Sequence, residues 1–186
     1  MSITRMTTRL RLRAAVLSVA LAAAAPFAGA AEEQKPASTD GRLSASVSPA
    51  KAEYTVGEAV TVKFSLKNVS DKPFNLWSRN CSWGHEVYHF RLTLPDGSTK
   101  TLSEPALRWD ANVPLPMAIE AGKTFTAEFD LKAWAGKALP VGKYKVAGVY
   151  RSKNGFKDGK ARGFNLGDLW EGELVTDEVT FAIVEK

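Results

Sequence analysis

Apolar and polar residues alternate through most of this chain. Val60, Val62, Phe64 and Leu66 alternate with Thr61, Lys63, Ser65 and Lys67, which predicts a strand buried on one face. The same period of two recurs at Tyr88, Phe90, Leu92 and Leu94, set against His89, Arg91 and Thr93. It returns at Phe125, Ala127 and Phe129, at Tyr144, Val146 and Tyr150, and at Val179, Phe181 and Ile183. "PFNLW" predicts a short strand ending on Trp77. Pro95-Asp96-Gly97 predicts a tight turn that folds the Tyr88 strand onto "STKTLS" as a hairpin. "LKAWAGKAL", residues 131–139, predicts one short helical turn before Pro140. No apolar stripe of helical period is long enough for a core helix, and no internal repeat is present. Short strands separated by turn signals predict an antiparallel β-sandwich.

A local spacing narrows the fold. "PVGKYKV" sets Gly142, Tyr144 and Val146 at the spacing of a tyrosine corner, in which a tyrosine at a strand start returns its hydroxyl to the backbone. An ordinary Pro-Gly turn before an ordinary strand would share that spelling. Trp77 suits the packed tryptophan of such a sandwich. The expected fold is all-β, an immunoglobulin-like antiparallel β-sandwich over residues 42–186.

The ends and the charge adjust this reading. Arg5, Arg9, Arg11 and Arg13 precede the apolar run "AAVLSVALAAAA", then Pro26 and the small-residue site Ala28-Gly29-Ala30. That order predicts a cleaved secretory signal over residues 1–30, and the run is shorter than the ~20 apolar residues of a membrane span. Residues 31–41, polar with Pro and Gly, predict a flexible lead-in. The chain carries 25 basic and 20 acidic side chains; without the four arginines of the signal, 21 face 20. A near-neutral mature protein has no basic stripe for nucleic acid or an anionic membrane. A soluble periplasmic or secreted monomer without a stable membrane anchor is expected. Cys81 is the one cysteine, so it cannot form a disulfide within the chain.

In motif order the chain resembles the bacterial proteinase inhibitors of the BsuPI type. "SLKNVSDKPFNLW" (65–77), "YHFRLTLPDGSTKTL" (88–102), "IEAGKTFTAEFDL" (119–131) and "LPVGKYKVAGVY" (139–150) carry the resemblance over most of residues 60–150. It implies a non-enzymatic sandwich whose partner is a protease. No inhibitory-loop motif of that family matches residues here, so the resemblance assigns no reactive-site residue.

"HEVYH", residues 85–89, spells the zinc-peptidase motif and holds both histidines of the chain. On a helix, residues four apart share a face and can meet one zinc, with the glutamate, here Glu86, beside the bound water. On a strand, at ~3.3 Å per residue, His85 and His89 would lie roughly 13 Å apart. Gly84 before the motif and the alternation after it predict a loop running into a strand. The extended motif would need Gly at 92 and His at 95, where Leu92 and Pro95 stand. Glu104 has no helix to present it as a third ligand. A zinc peptidase is therefore the least favoured of three readings. Copper or zinc held by Cys81, His85 and His89, with Met117 elsewhere in the chain, is the second.

The first reading is a non-catalytic exported protein-binding module, an inhibitor of a protease by the resemblance, with no cofactor. Its candidate surface is residues 152–172, a long Lys- and Gly-rich connection holding Phe156, Phe164 and Trp170. Trp83 and Trp109, also near turn signals, join that set; such aromatics either form a binding platform or plug the open ends of a sandwich. Trp77 and Trp134 are expected in or at the edge of the core. Asn68-Val69-Ser70 and Asn80-Cys81-Ser82 match a glycosylation pattern that matters in a eukaryotic secretory pathway.

Overall fold

A computed structural model describes residues 41–79, 81, 84–105, 115–153, 160, 161 and 164–186. The expected export signal, and the lead-in up to residue 40, lie outside these residues. In chain order the strands are β1 Leu43–Pro49, β2 Glu53–Thr55, β3 Thr61–Asn68, β4 Phe74–Trp77, β5 Tyr88–Thr93, β6 Thr99–Ser103, β7 Pro116–Ile119 and β8 Thr124–Asp130. The helical turn α1, Leu131–Ala135, follows, and then β9 Gly142–Ser152, β10 Lys160–Ala161, β11 Phe164–Asn165, β12 Gly172–Val175 and β13 Val179–Val184.

The fold is an all-β sandwich of immunoglobulin-like type. One sheet has the order β1-β3-β8; the other has the order β2-β13-β9-β5-β6, with β12 also paired to β9. Pairing within the sheets is antiparallel except for β2, which runs parallel to β13. The inner faces are those that the alternation predicts: Val62, Phe64 and Leu66 of β3 pack with Phe90 and Leu92 of β5 and Tyr144 and Val146 of β9 in one buried cluster. Edge-on ring contacts tie the layers, Phe64 to Tyr88 at 5.3 Å and Phe129 to Phe90 at 5.2 Å between centroids. Each such contact adds about 0.5–1.5 kcal/mol beyond the area it buries. Gly148 is the point of closest approach. A β-carbon there would overlap the Phe64 ring, so the glycine makes room for the facing sheet.

The predicted turn and helix are present. Leu94 N donates to Ser98 O at 2.8 Å, and Gly97 takes a positive φ of 82°, closing the β5–β6 hairpin. Asp130 caps α1 by accepting from Lys132 N, and its Oδ1 also accepts from Val60 N at 3.1 Å. Gly136 ends the turn at a positive φ of 69°.

The tyrosine corner is formed. Tyr144 Oη donates to Pro140 O at 2.7 Å, and the ring stacks on Phe181 with centroids 5.2 Å apart. Gly142 takes a positive φ of 147° with Pro95 packed against its α-carbon, leaving no space for a side chain. Trp77 is buried in the core, and Trp134 packs at its edge, as expected.

One joint is invisible to alternation. β4 pairs with β7 in a separate two-stranded ladder, and residues 69–73 bulge out between β3 and β4. Asn68 holds that bulge and is 0% exposed. Its Nδ2 donates to Lys72 O at 2.8 Å and to Ile119 O at 2.9 Å. Its Oδ1 accepts from Ser70 N at 2.9 Å and Ser70 Oγ at 2.7 Å. Both hydrogens and both lone-pair directions are used. A glycan on Asn68 would have to leave a buried, fully bonded amide, so that sequon conflicts with the fold. In the second sequon, Asn80 and Ser82 lie outside the described residues.

β9 also departs from strict alternation. Ala147 and Val149, on the outer face, are buried along with the inner positions. Their register partners on β5 are Arg91 and His89, and Glu173 of β12 stands opposite Arg151 on the other side. Long side chains roof these small ones, as aliphatic stems commonly do.

Candidate binding site

The residues singled out by sequence do not converge. His85 is buried in the turn before β5, Glu86 is exposed, and His89 lies on the outer face of β5. Gly84 fits so closely under the Ser78 carbonyl that a side chain there would overlap it, which fixes the turn. Val87 already joins the ladder, its carbonyl accepting from Arg151 N at 2.8 Å. The motif thus begins in a turn and ends in a strand, so no helical face carries both histidines to one zinc. Cys81 is 3% exposed, and its thiol donates to Ser78 O at 3.3 Å. Among the described residues, no three His, Cys, Asp or Glu side chains come together where they could hold a metal ion. Glu104 pairs with Arg79 at 2.7 Å, and the Arg79 guanidinium lies over the Phe129 ring at 4.5 Å. Met117 lies on β7 opposite Leu76.

His89 belongs to a polar cluster on the outer face. Its Nδ1 lies 3.0 Å from Ser103 Oγ on β6. Burial, and then the Arg151 charge, holds the imidazole pKa below its usual 6.5. Glu173 accepts from Arg151 Nε at 2.7 Å and from Arg91 at 3.5 Å. The hydrogen bond from Arg151 holds the Glu173 carboxyl below its usual range. One carboxylate, Glu173, thus faces two guanidinium groups.

Trp170 requires a correction. It is 0% exposed and packs against Tyr150 at 5.6 Å, so it belongs to the core and offers no surface to a partner. Asn75 on β4 explains this inward turn. Asn75 N donates to Asp168 O, its carbonyl accepts from Trp170 N, and its Nδ2 donates to Leu166 O at 2.7 Å. That clasp pulls Leu166 and Trp170 inward, so residues 165–172 plug one end of the sandwich. Trp83, Trp109 and Phe156 lie outside the described residues, as does the side chain of Phe164.

A concavity that alternation does not announce lies beside the tyrosine corner. It encloses about 280 Å³ between the β5–β6 hairpin and the connection from α1 to β9. Leu92, Leu94, Leu102, Leu139, Val141 and Tyr144 form its apolar wall; Asp96, Lys100 and Lys137 supply charge. The site exists because the chain changes layers here. β8 ends one sheet, α1 carries the chain across, and β9 opens in the middle of the other. Leu131 and Leu139 anchor the crossing in the core, while Val141 between them and Tyr144 stays 48% exposed. With two lysines against one aspartate, the site is apolar inside and net positive at the rim, a form suited to an apolar group with a neighbouring carboxylate. Pro95, Lys137 and Val141 carry no sequence signal for this role. Proximity of the hairpin tip to the α1–β9 crossing is a long-range fact.

No protein-family model and no curated protein matches the chain. Among solved structures it is similar to a β-glucosidase from Listeria innocua at 16% identity and a TM-score of 0.35, and to the same enzyme in complex with isofagomine at 15% and 0.34. Both alignments cover 75% of this chain but 16% of the enzyme. The chain spans less than a fifth of those proteins.

Proposed function

We propose that this chain is a non-catalytic, exported protein-binding module, and that its partner docks at the apolar pocket beside the tyrosine corner. The observation that carries this reading is the pocket itself: a concavity of about 280 Å³ with an apolar wall and a net positive rim. Such a site offers burial to an apolar side chain and a charge to its neighbour, which is how a few anchor residues dominate a protein interface. The partner class is a protease. That choice rests on the resemblance of residues 60–150 to the BsuPI-type inhibitors, and export rests on the signal-like first thirty residues.

The test is inhibition of a panel of serine proteinases by the chain from residue 31 onward, alongside the Val141→Asp variant. Val141 is half-exposed, so the substitution should leave the melting temperature in place while setting a charge at the mouth of the pocket. Saturable inhibition that weakens about tenfold or more in the variant supports the proposal, since a buried anchor is worth at least ~1.4 kcal/mol. No inhibition of any member of the panel removes the protease as partner. Equal inhibition by both proteins removes the pocket as the contact.

A further inference from the structure

β6 is the terminal strand of its sheet, and among the described residues no strand pairs with its outer side. Its hydrogen-bonding polarity follows from the hairpin. Leu94 and Ser98 form a bonded pair, and bonded and non-bonded pairs alternate along an antiparallel ladder. Lys100 and Leu102 therefore bond inward to β5, whereas Thr99, Thr101 and Ser103 turn their N–H and C=O groups away from it. All three of those residues are exposed. Sheet edges are usually blunted by short length, lysine, proline, a bulge or cover. β6 is short and carries one lysine, Lys100, which lies on the inner face toward the pocket. Within β6 there is no proline, and its register with β5 is continuous.

The edge and the pocket are one surface. Lys100 and Leu102, the β6 residues on the sheet's inner face, line the pocket; Thr101 and Ser103 lie on the outer face beside His89 and Arg91. A strand laid along β6 would thus set alternate side chains over the pocket and the rest beside hydroxyl groups. We propose that β6 accepts an extended segment of the protein partner as an additional strand. An apolar side chain of that segment enters the pocket beside Leu102, and an acidic one two positions away pairs with Lys100. The backbone bonds supply attachment without sequence preference, and the pocket and Lys100 select the segment. This inference rests on the pocket being the binding site and adds how the partner is held.

The probe is a capped peptide of about eight residues, the length of an ordinary strand, in which threonine alternates with leucine and one glutamate stands two positions before the central leucine. Saturable binding is expected, with slowed hydrogen exchange at Thr99, Thr101 and Ser103. Thr101→Pro deletes an outward N–H and leaves the β5 ladder whole, so it should weaken binding about tenfold. Lys100→Glu should weaken it similarly, and a peptide carrying lysine in place of glutamate should restore it. If Thr101→Pro lowers the melting temperature, a peptide N-methylated at its central residues replaces that variant and should bind about tenfold more weakly. Binding that Val141→Asp abolishes, but that spares exchange at the three β6 amides, keeps the pocket and overturns strand addition. Absence of binding up to millimolar peptide overturns both for such segments. Sedimentation of the free protein as a dimer, with those amides protected, assigns the edge to a second copy and overturns the proposal.

Discussion

Replacing Asn68 by alanine tests whether a single buried amide holds the β4–β7 ladder in place at the end of the β3–β8 ladder. The side chain makes four hydrogen bonds and is fully enclosed. Three of these, to Ser70 and Lys72, lie near the surface, where water can replace the lost partner, so each counts at the low end of the usual ~0.5–1.5 kcal/mol. The fourth partner, Ile119 O, is buried, and an unsatisfied carbonyl there costs about 1–3 kcal/mol. The expected loss is therefore about 3 kcal/mol. For a domain of this size that is a fall of roughly 6–12 °C in melting temperature, at ~2–4 °C per kcal/mol. Urea denaturation followed by tryptophan fluorescence reads the change at constant slope. Asn68→Asp sharpens the test because a carboxylate cannot donate to either carbonyl. It should be at least as damaging near neutral pH, and its deficit should shrink on acidification as the acid regains one donor. If Asn68→Ala unfolds within 1 kcal/mol of the parent, the ladder is set elsewhere and the amide is incidental; the lower bound of about 2.5 kcal/mol combines about 1 for the buried carbonyl with about 0.5 for each of the other three bonds.

Three further outcomes follow from the same structure. Tyr144→Phe should cost about 1 kcal/mol, since the exposed Pro140 carbonyl can turn to water, whereas Tyr144→Ala should cost about 3–5 kcal/mol by emptying the site against Phe181; denaturant midpoints of the pair separate hydroxyl from ring. Gly148→Ala should cost about 1–3 kcal/mol by overlap with the Phe64 ring, and Phe64→Leu in the same chain should return part of the loss in a double-mutant cycle. His89, whose pKa is held low by burial and by Arg151, binds its proton less readily folded than unfolded. Its contribution is thus fully present above pH ~6.5 and declines as pH falls through the lowered folded value, so the chemical stability of His89→Gln should fall less steeply than that of the parent between pH 7 and 5.

What the chain dictates locally was legible in its sequence. The strands around Val62, Phe90, Phe129 and Phe181, and the face each buries, follow from a period of two, because successive side chains on a strand point to opposite sides. The hairpin at Pro95-Asp96-Gly97 and the corner at Gly142 and Tyr144 follow from residue types that few other backbone conformations accept. The same local logic made a zinc peptidase at His85 and His89 the least favoured reading, and the turn under Ser78 agrees with it. Tertiary structure decided the rest. Trp170, among glycines and charges, reads either as a binding platform or as a plug, and Asn75, far away in sequence, decides for the plug by drawing its backbone into the core. Asn68 reads as a sugar acceptor, yet its partners include a carbonyl on β7 that no local pattern announces. The pocket needs a hairpin tip, a helical turn and a strand start brought together from three separate stretches. Alternation specifies which way a side chain faces; the pairing of distant strands determines what it meets there.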